Sequence, residues 1–310
     1  MSRVKLAPFA KYLTFLAFIP LAFVPSFVGT YYESLLTSVL CWVGLAVSWH
    51  FFSGTTKYVS LGTAAFFGVG VYFMAIFGQS LPFVLVLVLA GALNFVFAAG
   101  VGLVTLRLKG IYFAILTFGL AELLNNAMLF YEKQVTGTRG RFIAPMDVYY
   151  PILIITFVLL VVIIVLRRTK LGLGLRMIGE SEDAAIHFGV NTTLYKVLGF
   201  AVSSMFMGLL GAAFAPRWGY IDSGMAFNSL YSFMPAIMTL FGGAGWIVGP
   251  IVGAVVLSVL QEYLLTTFKD YFMIILGAVM VLVILALPEG MTGRLMGKRS
   301  WLARRARSGV

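Results

Sequence analysis

The chain has 310 residues, of which 61% are hydrophobic and 11% are charged, and its formal net charge is +11. Its mean hydropathy is +1.01. A soluble domain carries about 25% charged residues, so this composition excludes one. The positive charges lie at the ends of apolar runs and at the C-terminus, which argues against a nucleic-acid partner. The single cysteine, Cys41, excludes an internal disulfide and a paired-cysteine metal site.

Ten apolar segments predict membrane-spanning helices. Residues 58–106 contain no Asp, Glu, Lys or Arg, and a span needs about 20 apolar residues, so this stretch predicts two spans with a turn at 78–82. The eighth segment is short and bounded by glycine, so a re-entrant segment is the alternative there. The predicted spans are 11–28, 33–53, 58–77, 82–106, 110–131, 149–166, 195–215, 230–243, 247–265 and 271–288.

The first segment resembles a signal peptide, but Pro20 and Pro25 interrupt it and no small-residue cleavage site follows. We therefore interpret it as a retained first helix. With the N-terminus inside, 17 of the 22 lysines and arginines would be cytoplasmic, as the positive-inside rule requires. Both termini are then cytoplasmic and the number of crossings is even. The five outside are Lys133, Arg139, Arg141, Arg217 and Lys269.

The fold class that follows is an all-α integral membrane protein. It is a polytopic bundle of about ten transmembrane helices with broken, glycine-rich segments and a cytoplasmic coupling helix. Residues 1–310 form one transmembrane domain, which includes a cytoplasmic coupling segment over 167–194 and a basic cytoplasmic tail over 291–310.

The cytoplasmic segment predicts a short docking helix. Gly172 and Gly174 predict a turn, Ser181 can cap the helix, and acidic residues in the first turn suit the helix dipole. A short helix with small side chains fits a groove on a cytoplasmic partner, whereas a solvated loop is the alternative. The candidate docking residues are Glu182, Asp183, Ala184, Ala185 and, at the helix stop, Gly189.

Two glycine-rich regions, 54–70 and 242–253, predict close helix packing. The compatible functional interpretation is a broken helix whose backbone groups line a solute pathway. Gly-Pro cannot continue a regular helix, which predicts a break between the eighth and ninth spans. Ser60 and Gly62 are pathway candidates. The packing or break candidates are Gly68, Gly242, Gly243, Gly245, Gly249 and Pro250.

Glu122 is the one acid near the middle of a predicted span. Asn125 follows on the same helical side, with Asn126 beside it, and Asn94 lies midway along the preceding span. Ionisable groups inside a membrane face the bundle interior or a watery cavity. These side chains either meet a zwitterionic or amide solute in transit or form interhelical hydrogen bonds. No metal site is predicted, because the two histidines are far apart and lack a companion at ligand spacing.

Four stretches resemble one transporter family. Residues 183–189, Asp-Ala-Ala followed by Gly, are similar to the EAA–x–x–x–G coupling motif of ABC importer permeases, with Asp in place of Glu. The longer segment 172–204 resembles the branched-chain amino acid permeases, the LivH/LivM family. Residues 54–72, 106–122 and 242–253 resemble further segments of that family in the same order, and 106–122 resembles the LivM side.

The resemblance implies a permease subunit of an ABC importer for leucine, isoleucine or valine in a prokaryotic cytoplasmic membrane. The implied partners are ABC ATPase subunits, a homologous second permease and an extracytoplasmic solute-binding protein. We predict no catalytic residue and no cofactor on this chain, with ATP and Mg²⁺ on the ATPase subunits. The only Gly-Lys pair, at 297–298, lacks the remainder of a P-loop.

The alternatives differ in substrate or class. The external loop reads Thr-Gly-Thr-Arg-Gly-Arg over 136–141, whereas the family usually has Thr-Gly-Gly and no arginine pair. Urea or a short amide is therefore an alternative substrate. An ion-coupled secondary transporter would also use broken helices and a mid-span carboxylate. A channel or a membrane enzyme fits less well, because neither a filter-like repeat nor a nucleophile–base pair is present.

Overall fold

A computed structural model describes residues 29–137 and 139–268, together with residues 21, 271, 274–278 and 281. The predicted spans 11–28 and 271–288 lie mostly outside these residues, and the basic tail 291–310 lies wholly outside them. Across the described residues the chain is helical apart from loops and one pair of two-residue strands.

Eleven α-helices and two strands follow in chain order. Shorter helical turns extend three of the helices: π-helical His50–Gly54 and Glu132–Thr136, and 3-10 Ala215–Arg217. The α-helices are α1 Thr30–Trp49, α2 Thr63–Phe77, α3 Phe83–Thr105, α4 Ile111–Tyr131, α5 Tyr149–Leu166, α6 Lys170–Glu180, α7 Glu182–His187, α8 Thr192–Phe214, α9 Ser223–Ala226, α10 Leu230–Gly242 and α11 Val248–Thr267. Strands β1, Arg141–Phe142, and β2, Tyr220–Ile221, pair antiparallel.

Six helical segments within the described part of the chain are long and apolar enough to cross a membrane. This confirms a multi-pass membrane protein, although six spans are fewer than the ten predicted. The predicted third span, 58–77, is a 15-residue helix, since α2 begins only at Thr63. The eighth is the 13-residue α10, which contains Pro235. The six segments are Thr30–Gly54, Phe83–Thr105, Ile111–Val135, Tyr149–Leu166, Thr192–Arg217 and Val248–Thr267.

The chain divides into two compact units, one of residues 44–236 and one that combines residues up to 43 with residues from 237. In the first unit α8 is the central helix, buried over most of its length, and it packs most extensively against α3 and α2. Glycines bring α2 and α8 into backbone contact, because a Cβ on Gly70 would meet the carbonyl of Gly208 and one on Gly211 would meet the carbonyl of Phe67.

In the second unit, glycines bring the end of α10 against the start of α11. A Cβ on Gly242 would meet the carbonyl of Gly249, and one on Gly253 would meet the carbonyl of Met238. Residues 243–247 separate the two helices, with Gly243 at φ +101°. Pro250 lies in the first turn of α11, where its missing N–H costs no helical hydrogen bond.

One local prediction is wrong. Gly172 and Gly174 were expected to form a turn, but both lie inside α6, where they are buried. Their missing side chains let α6 approach its neighbours: a Cβ on Gly172 would meet the backbone at Leu166 and Arg167, and one on Gly174 would meet the ring of Tyr195.

The α2–α8 contact predicts a specific sensitivity. Replacing Gly70 with Ala should destabilise the protein by roughly 1–3 kcal/mol, because the added methyl meets a backbone carbonyl that no rotamer change can move. Gly100, in α3, is the matched control, since a Cβ there has open space around it. Thermal unfolding in detergent should show a lower Tm for Gly70→Ala and no decrease for Gly100→Ala; equal Tm values would contradict the contact.

Candidate functional site

The short helix α7 is defined by its two ends. At its start, the Ser181 hydroxyl accepts a hydrogen bond from the Ala184 N–H at 3.3 Å. At its end, Gly189 has φ +78°, and the amides of Gly189 and Val190 donate to the carbonyls of Ile186 and Ala185. Both ends therefore arise from local residues, a polar N-cap and a left-handed glycine stop.

One face of α7 is exposed and the other is buried. Ala185 is 1% exposed, whereas Asp183 and Ala184 lie at the surface. Two large apolar side chains are also exposed: Ile186 at 53% and, just past the helix, Phe188 at 78%. This end of the molecule thus presents a mixed acidic and apolar surface that is suited to contact with another protein.

Glu182 points away from that surface. Its Oε1 accepts a hydrogen bond from the Lys196 ammonium at 2.6 Å, and its Oε2 accepts one from the Tyr58 hydroxyl at 2.6 Å. The exposed Lys109 lies 3.8 Å from Oε2. Of the predicted docking residues, Glu182 and Ala185 therefore face inward, while Asp183, Ala184 and Gly189 remain exposed.

Lys196 is the centre of this network. It lies near the start of α8 and is 4% exposed. Besides Glu182, its ammonium donates to the Tyr58 hydroxyl and to the Leu106 carbonyl, each at 3.2 Å, and it lies 4.6 Å from the centre of the Tyr58 ring. One cation therefore joins α7 to α8, to the loop before α2 and to the end of α3.

The network sets the ionisation of its members. Burial alone would raise the pKa of the Glu182 carboxyl, but the hydrogen bonds from Lys196 and Tyr58 outweigh it and hold that pKa below its usual value. Burial, reinforced by the bond to the Glu182 carboxylate, raises the pKa of the Tyr58 hydroxyl. Glu182 is accordingly an anion at neutral pH and Tyr58 stays protonated as its donor.

The loop before α2 holds the first pathway candidates. Lys57 has φ +62°, and Ser60 is buried with its carbonyl accepting from the Trp49 indole at 2.7 Å and its amide donating to Ser53. The carbonyl of Thr117 lies 3.3 Å from where a Cβ on Gly62 would be. These contacts fix the break between α1 and α2. The hydrogen bonds found for Ser60 are all internal.

The polar candidates within the spans do not converge. Glu122 is half-buried and accepts a hydrogen bond from the Ser229 hydroxyl at 3.2 Å, while Asn125 is half-buried on the same helix. Asn94 is fully buried on α3, donates to the Ala90 carbonyl, and fills the space left by Gly208 of α8. No hydrogen bond links Glu122 to Asn94 within residues 29–137.

Gly68 has a packing role within its own unit. A Cβ there would meet the ring of Phe227, which stacks on Tyr72 with ring centres 5.7 Å apart. Gly245 lies in the break after α10 with open space around it. Gly242, Gly243, Gly249 and Pro250 lie at the α10–α11 break described above.

Sequence reasoning missed three buried polar contacts. Lys196 was counted only as a cytoplasmic charge, although its apolar neighbours Val197 and Leu198 indicate that it lies inside a span. Glu132 is 1% exposed and accepts from the Tyr72 hydroxyl at 2.6 Å. The Arg167 guanidinium lies 2.9 Å from His50 Nε2. Because Arg has no acceptor, that nitrogen must accept, so His50 is neutral with its proton on Nδ1.

Comparison with known proteins places this arrangement in a family. The sequence model described as "Branched-chain amino acid transport system / permease component" matches residues 31–284. The chain belongs to this family of membrane permeases, and the similar proteins named below are transport subunits rather than enzymes.

The relatives include both permease types of one transport system. The high-affinity branched-chain amino acid transport system permease protein LivM of Salmonella typhimurium is 28% identical and aligns with 83% of this chain and 69% of its own length. LivM of Escherichia coli is 27% identical over 85% of this chain and 70% of its own length. LivH of Salmonella typhimurium is 27% identical over 54% of each chain. No solved structure matches this chain significantly.

The Lys196 network predicts an unequal effect of two lysine substitutions. Lys196→Met should destabilise the protein by about 3 kcal/mol, because it leaves the Glu182 carboxylate without its partner. Lys109→Met, which removes a lysine side chain that is 67% exposed, should cost at most about 1 kcal/mol. Denaturant unfolding in detergent measures both changes.

A double-mutant cycle completes this test. Glu182→Leu combined with Lys196→Met should cost less than the sum of the single changes, because neither charge is then left unpaired. Additive costs would show that the two side chains are not coupled.

The lowered pKa of Glu182 also predicts a pH dependence. Its ordinary value is 4.5, and a depressed folded pKa gives stability that is full above the unfolded pKa and lost as pH falls through the folded pKa. The stability difference between the unmodified chain and Glu182→Gln should therefore be constant near neutral pH and shrink below about pH 4.5. Thermal unfolding across that range measures it, and a difference that grows in acid would refute the ion pair.

Proposed function

We propose that the chain is the permease subunit of an ATP-driven importer that carries leucine, isoleucine or valine across a prokaryotic cytoplasmic membrane. The observation that carries the proposal is α7, a capped six-residue helix with an exposed acidic and apolar face and a buried ionic anchor. Membership of the permease family and the names of the LivM relatives support the solute class.

The proposed partners follow from the same observations. ABC ATPase subunits, which carry ATP and Mg²⁺, would contact the exposed face of α7 around Asp183, Ala184 and Ile186. A LivH-like permease would complete the membrane part, and an extracytoplasmic binding protein would deliver the solute. In this arrangement both termini and α7 are cytoplasmic, whereas the loop that contains Arg139 and Arg141 is outside.

The contacts around Lys196 supply a route for coupling. A push on α7 moves Glu182, and the Lys196 ion pair passes the displacement to α8. Because α8 contacts α2 through Gly70 and α3 through Asn94, backbone and side chains shift together rather than deforming locally. ATP binding by the partner would then favour one of two bundle conformations, since it has different affinities for the two.

Urea or short amides remain the alternative substrates within the family. An ion-coupled secondary transporter is the alternative of another class, and the contact of Glu122 with Ser229 would be its candidate ion-linked site.

The function test compares two charge reversals at exposed acids. Asp183→Lys should lower ATP-dependent leucine uptake by at least tenfold, because it places a cation on the docking face of α7. Glu180→Lys makes the same change on an exposed residue at the end of α6, outside α7, and should retain most uptake. Labelled leucine and labelled urea are measured in vesicles with the complete transporter, with and without ATP.

Uptake that needs no ATP and survives Asp183→Lys would overturn the importer and favour the secondary transporter. ATP-dependent uptake of urea without leucine would keep the importer and replace the solute.

A further inference from the structure

A cleft of about 360 Å³ lies between the end of α2 and strand β1. This volume is within the range of small-molecule sites in proteins, which begins near roughly 300 Å³. On the α2 side it is lined by Ala75, Ile76, Gln79 and Ser80, and on the other side by residues 139–142. The lining contains two arginines and no carboxylate.

The arginines leave the positive charge of the cleft uncompensated. Arg139 and Arg141 both line it, and neither is within 4 Å of a carboxylate among the residues the structure describes. Two guanidinium groups beside one small cleft favour an anion, and carboxylate is the partner whose geometry the guanidinium fork matches.

The opposite wall carries partial negative charge. Where α2 ends, the amide of Gly78 donates to Met74, and the amides of Ser80 and Leu81 donate to Phe77. The carbonyls of Ala75 and Ile76 receive no hydrogen bond from the described residues at this helix end. A helix C-terminus with free carbonyls attracts cations, so this wall suits an ammonium group.

The arginine wall is held rigidly. Strand β1 pairs with β2, with Arg141 opposite Ile221 and Phe142 opposite Tyr220. The Tyr220 hydroxyl donates to the Arg139 carbonyl at 2.5 Å, and its ring occupies the space beside Gly140, which has φ +77°. Fixed side chains lose little freedom when a ligand binds, as a binding site requires.

We infer that this cleft binds the headgroup of a free α-amino acid, with its carboxylate on Arg139 and Arg141 and its ammonium at the carbonyl end of α2. This inference rests on the proposed function, since the proposed orientation puts the cleft on the outer face, and it deepens that function by selecting zwitterions. Urea and short amides lack the carboxylate and the ammonium. The arginine pair by which residues 136–141 depart from the family pattern thus gains a role in solute selection.

Equilibrium binding of labelled leucine to the full chain in phosphatidylcholine nanodiscs tests the inference without ATP or partner subunits. Arg139→Gln combined with Arg141→Gln should weaken binding by about tenfold or more, the loss expected for charge-assisted hydrogen bonds. Lys133→Gln is the matched control, because it removes an exposed cation from the same external segment but outside the cleft lining.

Competition on the unmodified chain gives a second readout that needs no variant. Unlabelled leucine should displace the label, whereas leucinamide, without the carboxylate, and 4-methylpentanoate, without the ammonium, should each compete at least about tenfold less well. Equal competition by the three compounds, no leucine binding, or unchanged binding in the double variant would overturn the inference.

Two further outcomes separate the inference from its alternatives. If the double variant weakens docking of a solute-binding protein while leucine binding is unchanged, the arginines form a protein interface and the inference is wrong. If leucine binds with the expected pattern but the complete transporter shows no ATP-dependent uptake, the cleft stands and the proposed importer fails.

Discussion

The rest of the structure around α7 depends on one buried ammonium. An unpaired charge in an apolar helix bundle is costly, so Lys196 must be neutralised where it lies. Glu182 supplies the negative charge, and Tyr58 and the Leu106 carbonyl accept the remaining hydrogen bonds. This requirement fixes the inner face of α7 and leaves its other face for contact. The helix itself has only six residues, too few to be stable alone, so its place is set by this anchor.

The anchor matters because α8 is itself tightly held. Glycines at 208 and 211 remove side chains where α8 meets α2 and α3, and backbone carbonyls then lie against the neighbouring helix. Such contacts leave no soft side chain to absorb a displacement, and packed interfaces of this kind shift between discrete arrangements. A force on α7 thus reaches the membrane helices through one ion pair and a few backbone contacts. The same buried position explains why Lys196 tolerates no simple replacement while Lys109 does.

The features that were predictable from sequence are those with local causes. Long apolar runs predict spans such as α5, because a bilayer requires them. Ser181 and Gly189 predict the ends of α7, because caps act over three or four residues. The start of α2 was not predictable, since Trp49, Ser53 and Thr117 satisfy the loop before it from elsewhere in the chain. The inward direction of Glu182 depends on Tyr58, 124 residues away, and no periodicity carries that information.

The outward face of α7 as an ATPase contact is the central claim, and site-specific photo-crosslinking tests it most directly. Cys41 is the single cysteine of the chain and is buried, so Cys41→Ala gives a cysteine-free background. Ile186→Cys and Leu173→Cys then place a benzophenone maleimide on α7 or on α6, at positions that are both 53% exposed. In the assembled transporter we predict crosslinks to an ATPase subunit from residue 186 and far fewer from residue 173. Equal yields, or none from residue 186, would contradict the account.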